Sequence, residues 1–254
     1  MTYCVGIIVN QGLVLASDSR TNAGTDQVST YSKMHAFCGD GERMFTLLSS
    51  GNLATSQAVI RRLRQDLESR ARTSLKTVRQ VSEAAEYIGQ LSTAEQQKHA
   101  RLPGDSFKPE ANFIIAGQIK GQPHQIYMVY PEGNYIRASR GTPYLQIGEL
   151  KYGKPILDRI IEPELDLETA ARCALVSMDS TMRSNVTVGP PVELLIYDSG
   201  SCTPGYRYLL EEDDNYLREL RMAWQERLKE AFTNLPRLPK RSAQIRLVDA
   251  PGDR

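Results

Sequence analysis

The sequence is poor in the residues that build metal sites. Its 254 residues include only three histidines and four cysteines. The cysteines, Cys4, Cys38, Cys173 and Cys202, lie far apart without any C-x-x-C spacing, and the histidines form no motif with them. A zinc site is therefore not expected, and the ordinary state of such cysteines is a reduced, buried thiol.

Long apolar runs and an excess of charge are missing too. No run approaches the roughly 18 residues of a membrane span, and no signal segment precedes Thr2, so we expect a cytoplasmic protein. Lysine plus arginine, 31, nearly matches aspartate plus glutamate, 30, which favours neither nucleic acid nor an anionic membrane as a partner. A G-x-x-x-x-G-K-[ST] phosphate loop is absent, so whether a separate ATPase acts with this chain stays unknown.

Threonine at position 2 suggests a catalytic N-terminus. Removal of Met1, which is usual before a small residue, would expose an α-amine beside a hydroxyl. A threonine hydroxyl is a poor nucleophile at neutral pH unless a base takes its proton, and a free α-amine has an ordinary pKa of about 7.7 to 8.0. Thr2 would thus be a nucleophile that carries its own base.

The first hairpin predicts the position of Asp18. Two aliphatic runs flank Asn10-Gln11-Gly12, and a three-residue loop ending in glycine would pair Cys4 with Asp18. Because directly paired residues share a face of the sheet, Thr2, Cys4 and Asp18 would point the same way. A two-residue loop would instead turn the Asp18 carboxylate to the other face.

Lys33 is a third candidate for this site, since every other basic residue up to position 75 is histidine or arginine. An ammonium near the Thr2 oxygen would favour the alkoxide, and the Asp18 carboxylate would hold that ammonium in place. Cys4 is a rival nucleophile, although no histidine base lies near it in sequence. Gly51 lies between a predicted strand and a predicted helix, where a backbone N–H could donate to a developing oxyanion; its alternative is a plain turn residue.

Periodicity predicts a mixed fold of strands, two helices, strands, two helices, strands and a final helix. Helices are predicted over 53–72, 75–91, 148–161, 167–182 and 213–235. Two antiparallel sheets stacked face to face with helices outside would bury all the apolar stripes. We therefore expect an α+β fold, a four-layer αββα sandwich over residues 1–235, followed by a C-terminal extension over 236–254.

The motifs together resemble a known family. A-S-D-S-R-T after the first hairpin, followed by Lys33, is similar to proteasome β-type subunits, which are N-terminal nucleophile hydrolases. The runs TYSKMHAF, SSGNLATSQ and YGKPILDR resemble more closely the bacterial proteasome-like Anbu group. The resemblance implies the αββα fold, an oxyanion role for Gly51, no metal or organic cofactor, and assembly of identical subunits into a ring or spiral.

The resemblance also implies an aspartate and a serine, late in the helix before 186–188, that orient the threonine. Asp179 and Ser184 are the candidates here, although their spacing is longer than the family's and Asn185 stands where a glycine is usual. Glu149 follows Gly148 where proteasome β subunits carry a serine. Its carboxylate either pairs with the α-amine or Lys33, or caps the next helix, and capping is slightly favoured.

We therefore predict a proteasome-type threonine peptidase that cleaves amide bonds in a peptide or protein substrate. Two alternatives stay open. One is an amidase of the same fold that acts on a small or dedicated peptide substrate. The other is a non-catalytic scaffold or binding subunit in which Met1 stays attached.

Overall fold

The computed structural model describes residues 1–22, 28–99 and 108–238. Its strands are β1 Tyr3–Val9, β2 Gly12–Asp18, β3 Arg20–Asn22, β4 Val28–Thr30, β5 Met34–Cys38, β6 Arg43–Gly51, β7 Ala111–Ile119, β8 Gln125–Val129, β9 Tyr135–Arg137, β10 Tyr144–Gly148, β11 Val192–Asp198 and β12 Tyr206–Leu210. Its helices are α1 Leu53–Glu68, α2 Val81–His99, α3 Lys154–Ile160, α4 Leu167–Ser184 and α5 Asn215–Thr233.

Two five-stranded antiparallel sheets form the centre of the molecule. The first has the order β10-β1-β2-β11-β12, and the second has the order β5-β6-β7-β8-β9. Strands β3 and β4 form a separate antiparallel pair. The polar composition of residues 21–32 predicts a surface loop, so this pair of strands was not expected; residues 23–27, between the two strands, lie outside the described residues.

Three apolar clusters hold four layers together. One lies between α3, α4 and the first sheet, and includes Tyr3, Val5 and Ala174. A second lies between α1, α2 and the second sheet. The third lies between the two sheets and includes Leu15 and Ile114. The predicted αββα sandwich is therefore confirmed, and helices α1 to α4 bury apolar residues against the sheet beside them.

The predicted register of the first hairpin is wrong. Gly12 belongs to β2, where it pairs with Val9, so the loop has two residues and Cys4 pairs with Ser17 instead of Asp18. Gly12 is needed in the strand because a Cβ at this position would clash with the carbonyl oxygen of Tyr197 on the neighbouring strand. The close approach of β11 therefore explains this glycine, which sequence analysis had placed in the turn.

Most other differences concern the ends of elements. Strand β10 pairs with β1, whereas sequence analysis predicted a helix starting at residue 148, and α3 begins only at Lys154.

The apolar stripe of α5 is buried only near the start of the helix. Leu217 is buried, but Leu228 is 53% exposed. None of the described helices is both long and apolar enough to cross a bilayer. Most of the predicted extension, residues 239–254, lies outside the described residues.

Candidate active site

A cavity of about 1120 Å³ opens between the N-terminal residues, the end of β6 and helix α1. Its wall includes Thr2, Lys33 and Gly51, three of the residues that sequence analysis selected. The cavity also extends along α1, which supplies Leu53, Gln57, Arg61, Arg64 and Glu68 among its lining residues. The threonine hydroxyl, a lysine and a glycine turn therefore share one space large enough for a peptide segment.

Lys33 and Asp18 form a buried ion pair beside this cavity. The Lys33 Nζ atom lies 2.7 Å from Asp18 Oδ1, and both side chains are almost fully buried. Lys33 also donates to the carbonyl oxygen of Arg20 at 2.6 Å. Asp18 accepts two backbone N–H groups, from Tyr3 at 3.0 Å and from Gly189 at 3.3 Å. Each charge is therefore held in one orientation by at least one further hydrogen bond.

The pKa of Asp18 reflects two opposing effects. Burial raises its pKa above the ordinary value, while Lys33 and the two N–H donors lower it. The carboxylate thus depends on its partners to stay ionised inside the protein. Because the buried Asp18 carboxylate needs Lys33 as its partner, the ion pair fixes the Lys33 ammonium at the cavity wall.

Thr2 is held by the edge strand β10. Tyr3 pairs with Gly148, and the Glu149 N–H donates to the Thr2 carbonyl oxygen at 2.7 Å. Gly148 has a positive φ of 90°, and a Cβ there would clash with the same carbonyl. Glycine at 148 therefore lets the backbone of β10 approach Thr2 closely.

Gly51 forms the sharp turn between β6 and α1. Its φ is 98°, and an added Cβ would lie 2.5 Å from the carbonyl oxygen of Glu110. Asn52 then caps the helix, because its side chain accepts from the Thr55 N–H at 3.1 Å. The turn places backbone of Gly51 on the cavity wall shared with Thr2.

The α-amine at the N-terminus lies in a mixed electrostatic environment. Burial is the largest effect on the Met1 amine and lowers its pKa, and Lys33 lowers it further. The carboxylates of Asp18 and Glu149 act in the opposite direction and raise it. The Met1 amine therefore loses its proton more readily than in water.

Glu149 does not cap the following helix, contrary to the slightly favoured interpretation. Helix α3 begins later, after Gly153, which makes no side-chain capping bond. The buried Glu149 carboxylate instead accepts from Asn185 Nδ2 at 3.0 Å and from the Lys151 N–H at 3.4 Å. Asn185 is the C-cap of α4 and was not selected from the sequence, although a polar residue at a helix end near Ser184 was the available signal.

Asp179 and Ser184 lie away from the cavity. The Asp179 carboxylate faces α5, where it forms an ion pair with Arg221 at 2.5 Å. Ser184 is exposed at the end of α4. Neither residue is part of the cavity wall, and the polar groups that approach the N-terminus from this side are Glu149 and its partner Asn185.

Cys4 is not placed to act as a nucleophile. Its side chain is fully buried between the sheets, and its Sγ donates to the Ser49 carbonyl oxygen at 3.7 Å. Burial, followed by the charge of Asp18, raises its pKa strongly, so the thiol keeps its proton. Within the described ranges, no three histidine, cysteine or acidic side chains are grouped so that they could hold a metal ion.

A comparison with protein families places most of this chain in one family. A family model described as Proteasome subunit matches residues 2–197 of this chain. The matched region begins at Thr2 and includes Asp18, Lys33, Gly51 and both sheets except strand β12. Among curated proteins, no significant match was found.

Solved structures give a closer comparison. Anbu (ancestral beta-subunit) from Yersinia bercovieri is 41% identical, with a TM-score of 0.88, over 93% of this chain and 99% of that one. The helical assembly of the Anbu complex from Pseudomonas aeruginosa is 42% identical, with a TM-score of 0.89, over 93% and 98% of the two chains. Anbu from Hyphomicrobium sp. strain MC1 is 40% identical, with a TM-score of 0.84, over 93% and 99%.

Proposed function

The chain belongs to the proteasome subunit family, in its Anbu group, and from this we propose that it is an N-terminal threonine hydrolase that cleaves amide bonds. One observation carries the proposal. Thr2, Lys33 and Gly51 line a single cavity, and the Lys33 ammonium is fixed there by the buried Asp18 carboxylate at 2.7 Å. A purely structural subunit has no need for a buried ion pair beside a hydroxyl at a cavity wall.

The proposed reaction begins with proton transfer from the Thr2 hydroxyl to its own α-amine, directly or through one water molecule. The Oγ atom then attacks the carbonyl carbon of the substrate, and the carbonyl oxygen takes the negative charge. The Gly51 N–H stabilises this oxyanion, and the Lys33 ammonium stabilises the alkoxide. The protonated α-amine returns its proton to the leaving nitrogen, which breaks the amide bond and leaves an ester on Thr2.

Water completes the cycle. The free α-amine takes a proton from a water molecule, and the resulting hydroxide attacks the ester carbonyl. The bond to Thr2 Oγ then breaks, and Oγ takes the proton back from the α-amine to restore the hydroxyl. This sequence needs the α-amine on Thr2 itself, so it requires a chain from which Met1 has been removed. No step requires a cofactor, because the nucleophile, the base and the charge stabilisation all come from this chain.

We further propose that the protein works as an assembly of identical subunits on a peptide or protein substrate. The related Anbu complex of Pseudomonas aeruginosa forms a helical assembly. In α5, the apolar residues Met222, Leu228 and Phe232 are more than half exposed. Exposed apolar side chains on one helix are typical of a surface that contacts another protein. Contacts between copies of this chain would cover such side chains.

The test is steady-state hydrolysis of a library of short fluorogenic peptide amides by the wild-type protein, Thr2→Ser and Thr2→Ala. We expect wild type to hydrolyse some members, Thr2→Ser to retain part of the rate, and Thr2→Ala to lose it. Denatured casein is added as a second substrate, and cleavage of short amides alone would favour a dedicated amidase. Equal rates for wild type and Thr2→Ala, or no hydrolysis by a preparation shown to lack Met1, would contradict the proposal and favour a scaffold.

A further inference from the structure

One face of helix α1 forms a long wall of the cavity. Leu53, Gln57, Arg61, Arg64 and Glu68 all line it, and their spacing of three or four residues places them in one row along the helix. The row starts just after Gly51 and leads away from Thr2. A substrate bound with its carbonyl at Thr2 therefore has this face of α1 beside the side chains that flank the cleaved bond.

The two arginines of this row are not used by the fold. In the described part of the chain, neither the Arg61 nor the Arg64 guanidinium forms an ion pair or hydrogen bond. Arg62, between them, behaves differently, since its Nε atom bonds Asp66 Oδ2 at 3.0 Å. Arginine side chains that face a cavity without a partner are available to a ligand, and their planar donors match a carboxylate.

The acidic groups near Thr2 already have partners. The Asp18 carboxylate is paired with Lys33, and the Glu149 carboxylate accepts from Asn185. Among the described lining residues the acid is Glu68, at the far end of the row. His35 also lines the cavity, and burial followed by the charge of Arg64 lowers its pKa to about 4. His35 is therefore neutral at pH 7. Lys33 is paired with Asp18, so the positive charge available to a ligand comes from Arg61 and Arg64.

We propose that this cavity selects substrates with an acidic side chain, glutamate or aspartate, within about two residues of the cleaved bond, which Arg61 and Arg64 bind. This inference rests on the proposed function and names the substrate class of the same site. It makes Arg61 and Arg64 specificity-determining residues, while the reaction at Thr2 proceeds by the same steps.

The dimensions of the helix are compatible with this reach. A rise of 1.5 Å per residue puts Arg61 and Arg64 about 12 and 16 Å along the axis from Leu53. An arginine side chain extends about 6 Å back toward Thr2, and each residue of an extended substrate spans about 3.4 Å. A glutamate one or two residues from the cleaved bond, whose own side chain adds several ångströms, can therefore meet a guanidinium.

Binding to the Thr2→Ala protein tests the inference without any reaction. Fluorescein-labelled tetrapeptide amides are made in pairs that differ only by glutamate or glutamine, with the variable residue placed at each position in turn. We expect at least one pair in which the glutamate peptide binds about tenfold more tightly, as a partly enclosed charged hydrogen bond would give. The preference should disappear in the Arg61→Gln/Arg64→Gln background.

Two controls separate a local effect from net charge. Arg218→Gln/Arg227→Gln makes the same charge change on α5, where Arg218 bonds Asn215 and Arg227 pairs with Glu230, and should leave the preference unchanged. Glu68→Gln removes the opposing carboxylate at the end of the row and should increase it. Equal binding of both members of every pair, or a preference that survives the double arginine change, would overturn the inference.

Labelling of the wild-type protein with matched glutamate and glutamine peptidyl epoxyketones separates this inference from the proposed function. Faster labelling by the glutamate probe would support both. Equal labelling by the two probes would support the threonine hydrolase and overturn the acidic preference. Absence of labelling by either probe would count against the hydrolase, and the binding experiment would still decide whether the cavity prefers the acid.

Discussion

Replacement of Lys33 by methionine separates the structural and catalytic roles of the buried ion pair. The wild-type Lys33 ammonium lies 2.7 Å from Asp18 Oδ1. Methionine fills similar space without charge, so Lys33→Met leaves the Asp18 carboxylate, which is 0% exposed, with only the Tyr3 and Gly189 N–H groups as donors. A charge without its counter-ion in the interior is strongly unfavourable.

The expected loss of stability follows from this geometry. Removal of one partner of a buried pair costs about 3–5 kcal/mol, which corresponds to a fall of roughly 6–20 °C in melting temperature for a chain of this size. Burial already raises the pKa of Asp18, and loss of Lys33 raises it further. A raised pKa favours the protonated form in the folded state, so the destabilisation should be smallest at low pH and grow as pH rises through the folded pKa.

The double variant Asp18→Asn/Lys33→Met is the matched control. It removes both charges together, so its free energy of unfolding should return to within about 1–2 kcal/mol of wild type. Its amide hydrolysis should stay lower by about 10²–10³-fold, because the ammonium that stabilises the alkoxide is still missing. Urea unfolding and hydrolysis rates measure the two effects. A Lys33→Met protein that unfolds within 1 kcal/mol of wild type and keeps its activity would refute this reasoning.

Three further predictions concern other residues of the cavity. The pKa of His35 is about 4 in the folded protein and about 6.5 in the unfolded chain. The stability that His35 contributes is therefore complete above pH 6.5 and is lost as the pH falls toward 4, by at most about 3 kcal/mol. His35→Gln should flatten this dependence of the free energy of unfolding on pH, as measured by urea unfolding. Glu149→Gln should move the acidic limb of the pH–rate profile to lower pH, since this carboxylate raises the pKa of the nearby amine; an unchanged or alkaline-shifted limb would argue against it. Gly51→Ala should cost about 2–4 kcal/mol by thermal or urea unfolding and reduce hydrolysis at least tenfold, because its Cβ would lie 2.5 Å from the Glu110 oxygen. Gly121→Ala, which has a similar φ of 77° and nothing within 4 Å, should cost only about 1–2 kcal/mol.

The contact between Asp18 and Lys33 was expected from the sequence, but the register that led to it was wrong. The β1–β2 ladder ends at Cys4 and Ser17. Asp18 is the last residue of β2 and pairs only with Val192 of β11, and its carboxylate accepts from the Tyr3 N–H. Face alternation governs residues inside a ladder, while a short side chain at the end of a strand can turn to a local donor. Chemical complementarity was therefore a better guide here than hairpin geometry.

The second half of the site could not be chosen from the sequence. Asp179 and Asn185 are both polar residues near the end of α4, and only the packing of α5 shows that Asp179 is paired with Arg221. Likewise, the partner of Glu149 depends on how α4 ends relative to β10, elements that are distant in the chain. By contrast, the layers were predictable, because the period of each apolar stripe is a local property.

The most direct measurement of the central claim is the intact mass of the purified protein before and after treatment with a peptidyl epoxyketone, which forms a ring with a vicinal amine and hydroxyl. Tandem mass spectrometry then locates the adduct, with Thr2→Ala as the control. The account predicts a chain that lacks Met1 and gains a single adduct on Thr2, and no adduct in the variant. A protein that retains Met1 and forms no adduct, or an adduct that persists in Thr2→Ala, would contradict the account.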